Sequence, residues 1–230
     1  MFEELDYQET PLGSISLRRR SEPRLNNRIV YEVKMNDEFL MSSLFYEAEL
    51  QLSYLGLAAL ERDELNVVVG GLGLGYTAGA ALEDDRIARL RVIDVMEPVI
   101  SWHKRGLVPM AKALTYDERC ELVLDDFFAW ALDGERDQDC LDAVLLDIDH
   151  TPAHWLTASN EGFYSIQGLR AITDKLKPGG VFALWSDDDP DPEFMALLET
   201  VFSRVEGTRI TFPNPYQEVD ASNGVYVAIK

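Results

Sequence analysis

Residues 67–82 read VVVGGLGLGYTAGAAL. A β-branched run passes straight into Gly70, Gly71, Gly73 and Gly75, and small helix-forming residues follow at once. β-Branched side chains suit a pleated strand, and glycine permits a sharp turn with close backbone approach. A helix beginning there presents unpaired N–H groups to a ligand. Residues 73–78 also satisfy G-x-G-x-x-A, the dinucleotide fingerprint. The stretch is a strand–loop–helix unit that either cradles a ligand such as a dinucleotide or forms a bare tight turn.

Downstream of it, short apolar strands alternate with helical stretches. Strands are expected at 66–69, 90–95, 121–124, 143–146 and 181–185, and helices at 76–82, 98–104, 127–132 and 165–176. The last helix stops at Lys177-Pro178-Gly179-Gly180. NVVV, AVLL and VFALW are continuous apolar runs, the pattern of strands buried on both faces. Such alternation predicts an α/β fold, a Rossmann-like, mostly parallel sheet between helices. A helix at 192–202 and an antiparallel hairpin, 204–211 with 224–229, bring the sheet to seven strands. The hairpin loop carries Pro213 and Pro215.

Upstream, SISLRRR (14–20) and IVYEVKM (29–35) alternate in the manner of half-buried strands. Turn chemistry at Pro11-Leu12-Gly13, Asn26-Asn27 and Asn36-Asp37, with a strand at 39–41, predicts a small N-terminal antiparallel β domain over 1–42. The Rossmann-like domain then spans 43–230. Ser42-Ser43 is read as the N-cap of a helix to about residue 60, with Glu47 and Glu49 in its early turns. Five arginines between Arg18 and Arg28 make the N-terminal sheet locally basic, either a solvated face or a partner strip.

The whole chain is acidic, with 41 Asp and Glu against 21 Lys and Arg and a formal net charge of -20 over 230 residues. That surface repels phosphate backbones and argues against nucleic-acid partners, while it attracts small cations. No apolar run approaches the roughly 20 residues of a membrane helix, and the N-terminus lacks signal-peptide character. Cys120 and Cys140 sit in no metal-type spacing and are expected to be reduced, buried thiols of a cytoplasmic protein.

In an open α/β sheet, ligands sit outside the carboxyl ends of the strands. The second strand ends in VIDVMEP, offering Glu97 at the cleft for ribose hydroxyls, with Asp94 inside the strand in a structural place. The third ends in Asp125-Asp126-Phe127, where Asp126 either contacts an adenine amino group or caps the next helix. The fourth ends in Asp147-Ile148-Asp149-His150, two carboxylates able to hold an amine or accept a proton.

Together VVVGGLGLGYTAGAAL, VIDVMEP, LVLDDFF, DAVLLDIDHTP, FYSIQGL and LKPGGVFALWS resemble the spermidine synthase-like branch of the adenosylmethionine-dependent transferases, over about residues 38–190. That resemblance implies a methyltransferase-type sheet and a β domain whose first strand carries Tyr7-Gln8. It also implies a homodimer and a donor that is decarboxylated S-adenosylmethionine or S-adenosylmethionine itself, with a small-molecule amine as acceptor. By the same resemblance, Gln8 and Glu97 would bind the ribose region, and Asp126 with Phe127 the adenine. Gly71 and Gly73 would underlie the thioether, with Gly75 in the same cofactor-binding loop, and Asp147, with Asp149 assisting, would face the reacting amine. Departures lie in the amine half. Leu74 replaces the loop aspartate of GGGDGG, and DIDHTP replaces D-x-S-D-P. SSLFYEAEL replaces DE-x-x-Y-H-E, leaving Tyr46 and Glu47 or Glu49 as stand-ins, and FPNPYQ leaves Tyr216 as a candidate acceptor contact.

The resemblance implies aminopropyl transfer in polyamine biosynthesis. A methyltransferase and a nucleoside-binding protein without turnover are the alternatives. A metal site at Asp147, His150 and His154 is not expected, because Pro152 prevents a helix from aligning the imidazoles. His103 is expected on a surface helix face, and the four tryptophans in packing, Trp155 excepted.

Overall fold

The computed structural model describes residues 1–36, 38–135, 137–148, 150–156, 158–217 and 219–230. Asp149 and Asp37 lie outside the described residues. Eleven strands form two sheets among the described residues. The first is an antiparallel meander of β1 (Phe2–Thr10), β2 (Gly13–Glu22), β3 (Arg28–Met35) and β4 (Glu38–Ser42). Its turns use Asn26, Asn27 and Asn36 at positive φ, a conformation asparagine tolerates better than most residues.

The second sheet comprises β5 (Leu65–Gly70), β6 (Ile87–Asp94), β7 (Cys120–Leu124), β8 (Leu141–Leu146), β9 (Leu176–Ser186), β10 (Arg204–Phe212) and β11 (Ala221–Ile229). Their order is β10-β11-β9-β8-β5-β6-β7. The five strands β5 to β9 pair in parallel, and β11 runs antiparallel to both β9 and β10. This is the mostly parallel, seven-stranded sheet the sequence predicts.

Alternation along the central strands explains the helix layers. Val67 and Val69, Ala143 and Leu145, and Val181 and Ala183 face one core, packed with residues of α1 (Glu47–Ala58), α2 (Tyr76–Leu82), α3 (Glu97–Lys104) and α4 (Ala111–Thr115). Val68, Val144, Leu146, Phe182 and Leu184 face the other, against α5 (Phe127–Leu132), α6 (Ile166–Lys175) and α7 (Pro192–Glu199). Strands buried on both faces need apolar side chains at every position, hence the unbroken runs. Ile15, Leu17 and Val33 extend the first core into the N-terminal sheet.

Several expectations are corrected. The first helix starts at Glu47, not at the serines. Ser43 Oγ accepts from Tyr31 N at 2.9 Å and Ser42 Oγ from Leu44 N at 3.1 Å, so both hydroxyls are used by the strand and its turn. Cys140 is exposed and Cys120 only partly buried. The arginine-rich strand is neither a free basic strip nor simply solvated, since Arg18, Arg19 and Arg20 pair with Glu4, Glu3, Glu22 and Glu32. Helix α4 gave no signal, and no helix of the described residues is long and apolar enough to cross a membrane.

Candidate active site

The chain order reverses at β5, which lies between β6 and β8, and the cleft opens above the carboxyl ends of these strands. The glycine loop forms its floor. Gly71 adopts φ +94°, and a Cβ there would stand 2.1 Å from the Asp147 carbonyl oxygen. Only glycine lets the ends of β5 and β8 approach this closely. Asp147 N donates to Gly70 O at 2.8 Å and locks the approach.

Two side chains shape the loop from behind. Asp94 accepts from Leu72 N at 2.8 Å and from Met96 N at 2.7 Å, tying the loop to the turn before α3. It has the structural bonds the sequence reading expected but also borders the smaller lobe, and burial raises its pKa. His103 is fully buried, not on a surface face, and its Nε2 lies 3.0 Å from Gly73 O. Burial pushes its pKa down to about 4, so the neutral ring donates that bond. α3 turns this residue inward because Val99, Ile100 and Trp102 share its buried surface.

Two lobes open above the floor and share Leu40, Met41, Gly73, Asp147 and Ile148. The smaller, about 210 Å³, is mostly apolar and is bounded by Ile93 to Met96, Asp126, Phe127, Phe128 and Asn160, with Leu12, Ile15 and Met35 of the N-terminal sheet. Asp126 is the helix cap that one reading gave it, at the edge of the smaller lobe. Its Oδ1 caps α5 through Phe128 N and Ala129 N at 2.9 and 3.1 Å, and the residue still faces the lobe. Phe127 packs edge-on against Phe128 and Phe163, which fixes its ring at the lobe wall.

The larger lobe, about 340 Å³, runs along the sheet edge from the glycine loop to β10. Asp147 stands where it meets the smaller lobe. Its Oδ2 accepts from Thr77 Oγ1 at 2.7 Å, and burial lifts its pKa to about 6. Glu49, projecting from α1, lines the same lobe, and burial together with the charge of Asp147 raises its pKa well above the usual carboxylate range. The two acids line one lobe, and each is pushed toward its neutral form, Asp147 by burial and Glu49 by burial and the charge of Asp147. Tyr76 lines the lobe with its pKa pushed up to about 12 by burial, and Tyr46 stacks behind it at 4.4 Å. Trp185 and Asp187, from the end of β9, complete one side, and the Asp187 carboxylate accepts from Asn223 Nδ2 at 3.0 Å.

The structure thus brings Gly71, Gly73, Gly75, Asp126, Phe127 and Asp147 to one cleft. Four other candidates stand off it. Glu97 is exposed in the first turn of α3, beside Met96. Gln8 donates to Asp6, which also accepts from Trp102 Nε1 at 2.7 Å and Arg105 at 3.0 Å. Tyr46 is screened by Tyr76, and the Tyr216 hydroxyl is engaged by Arg20 and Glu22. Trp155 packs in the second core, its Nε1 donating to Pro152 O at 2.8 Å, so it is no exception among the tryptophans; Trp185 is. Glu49, left open beside Glu47, is the main site residue that sequence reasoning did not single out. With the helix start at Glu47 known, Glu49 lies one turn before buried Leu52 and Ser53, on the inward face.

No protein-family model matches the chain. It is 29% identical over 183 residues to polyamine aminopropyltransferase 2 of Pseudomonas aeruginosa, covering 75% of this chain and 48% of that protein. A second relative, the eEF1A lysine and N-terminal methyltransferase homolog of Drosophila pseudoobscura, is 27% identical over 64% of this chain and 21% of its own length. The chain therefore spans about half or less of these curated relatives. In structure it superposes on spermidine synthase from Thermotoga maritima with a TM-score of 0.75 at 16% identity, covering 99% of this chain and 72% of that one. In sequence the chain is similar to a polyamine aminopropyltransferase, and in fold to a spermidine synthase.

Proposed function

We propose that the chain is an aminopropyltransferase that takes a decarboxylated adenosylmethionine-type sulfonium as donor and a small amine as acceptor. One observation carries this reading. An apolar nucleoside-sized lobe meets an acid-walled lobe at Asp147, and among the described residues lining the two lobes there is no lysine or arginine. An acid wall favours cationic ligands and disfavours a donor that carries an α-carboxylate. Glu49 and Asp147 suit a donor arm and an acceptor that both end in ammonium groups.

In this reading Asp126 and Phe127 bind the adenine end, and the Gly71–Gly75 backbone lies under the sulfur. Gln8 and Glu97, which the resemblance assigns to the ribose region, line neither lobe. Asp147, with Asp149 assisting, takes the proton of the attacking amine. The amine nitrogen attacks the carbon next to the sulfonium, the carbon–sulfur bond breaks, and a neutral thioether leaves. Catalysis rests on in-line positioning in a site that excludes water. A homodimer, from the family resemblance, and a cytoplasmic location, from the cysteine usage, are part of the same proposal.

The second reading, methyl transfer from intact adenosylmethionine, is favoured by buried Leu74, which lines the larger lobe where the family carries a loop aspartate. Calorimetry with methylthioadenosine and S-adenosylhomocysteine separates the two. Aminopropyl transfer predicts at least about tenfold preference for methylthioadenosine, roughly 1.4 kcal/mol. Preference for the homocysteine compound would move the chain to methyl transfer, and failure of both to bind would remove the nucleoside reading.

A further inference from the structure

The far wall of the larger lobe is built by the β10–β11 connection. Phe212 and Asn214 from one side, and Ala221, Ser222 and Asn223 from the other, line it. Two residues beyond Asn214, the Tyr216 hydroxyl donates to Glu22 Oε2 at 2.7 Å and accepts from Arg20 Nη2 at 2.9 Å. Both partners belong to β2, nearly two hundred positions earlier in the chain. Arg20 is itself held by Glu22 and Glu32 at 2.5 and 2.7 Å, and Glu22 is only 6% exposed. The Arg24 guanidinium lies over the Tyr216 ring at 5.8 Å.

Stiff backbone joins this cluster to the lobe. Pro213 and Pro215 flank Asn214 and fix φ on either side of it. Asn214 Oδ1 accepts from Tyr216 N at 3.0 Å, and Asn214 O from Gln217 N at 3.2 Å, so the tyrosine and the wall residue move as one turn. Phe212 packs on Phe45, the residue before Tyr46, at 5.9 Å between ring centroids.

We propose that Glu22, Arg20 and Tyr216 form a clasp by which the N-terminal sheet fixes the far wall of the larger lobe and so limits the length of acceptor amine admitted. Tyr216 is then a positioning and specificity residue that never touches the acceptor. The inference rests on the larger lobe being the acceptor's. The clasp charges are stable across the working range, because the tyrosine hydroxyl and Arg20 hold the Glu22 pKa down at about 2.

The test uses wild type, Tyr216→Phe and Glu22→Gln. Tyr216→Phe keeps the ring under Arg24 and deletes both hydroxyl contacts, and Glu22→Gln removes the charge. Hydrogen exchange is expected to rise about tenfold over 208–217 in each variant, with β5 and β8 unchanged, since one charge-assisted hydrogen bond is worth about that factor. Across straight-chain diamines of about three to eight carbons, the variants should move the kcat/KM preference toward longer chains by about fivefold. KM for the shortest good acceptor should rise with little change in kcat, and methylthioadenosine affinity should stay within about twofold. Unchanged exchange, or an equal loss at every chain length, overturns the clasp. If wild type transfers to no diamine, aminopropyl transfer fails, and the exchange data alone still decide whether the clasp holds the wall.

Discussion

Thr77 Oγ1 donates to Asp147 Oδ2 at 2.7 Å, joining the first turn of α2 to the end of β8 across the glycine loop. Thr77 is 2% exposed, so the bond is made away from bulk water. It is the interaction that opposes burial in setting the Asp147 carboxyl near pKa 6. Without it, the buried charge loses this donor while Glu49 still lines the same lobe.

The first prediction follows from that bond. If Asp147 takes the amine proton, kcat/KM rises with pH through about 6 as the carboxyl ionises. Thr77→Val removes the donor at nearly constant volume and moves the acid limb upward to about pH 7. Asp147→Asn abolishes turnover by at least about a hundredfold while methylthioadenosine affinity stays within about twofold. pH–rate profiles of the three proteins decide it, and a Thr77→Val profile superimposable on wild type would dissociate the bond from catalysis.

Glu49 shows where the sequence was legible and where it was not. The central strands were legible because burial on both faces forces continuous apolar runs, as in β5 and β8. The turn at Gly71 was legible because only glycine permits the approach to Asp147. Glu49 and Trp185 were not, because their meaning depends on which way an element faces. The start of α1 is set by serine hydroxyls committed to the strand, which no local pattern reveals. Likewise the roles of His103 and Tyr216 come from contacts 30 and about 195 residues away in the chain.

His103 provides a stability prediction. Its pKa is depressed to about 4 in the folded chain, against about 6.5 when unfolded. Between those values the unfolded chain binds the extra proton, so this group's contribution is lost as pH falls from 6.5 to 4. The full effect is about 3 kcal/mol. Glu49 and Asp147 act in the opposite sense, since their raised pKa values favour the folded chain on acidification. The comparison with His103→Gln, which keeps a donor for Gly73 O and does not titrate, isolates the histidine. Urea midpoints at pH 7.5 and 5.0 should fall more for wild type than for the variant, and parallel falls would remove His103 as the cause.

The last prediction concerns charge beyond the site. A net charge of -20 surrounds a lobe lined by exposed Asp187, with exposed Asp188 and Asp189 next in the chain. Asp189 is paired with Arg209 at 3.1 Å, and the Asp187 carboxylate with Asn223. A cationic acceptor is drawn toward such a lobe over distances comparable to the Debye length, about 30 Å at 0.01 M salt and about 8 Å at 0.15 M. Raising salt between those limits should therefore lower kcat/KM for a diamine by about threefold to tenfold, through KM, with kcat nearly constant. Methylthioadenosine, which is neutral, should bind equally well at both. Asp188→Lys, outside both lobes, should flatten the salt dependence for the diamine and leave the nucleoside untouched. Equal salt responses for amine and nucleoside would instead place the effect in the protein's stability, because steering by the field acts only on the charged ligand.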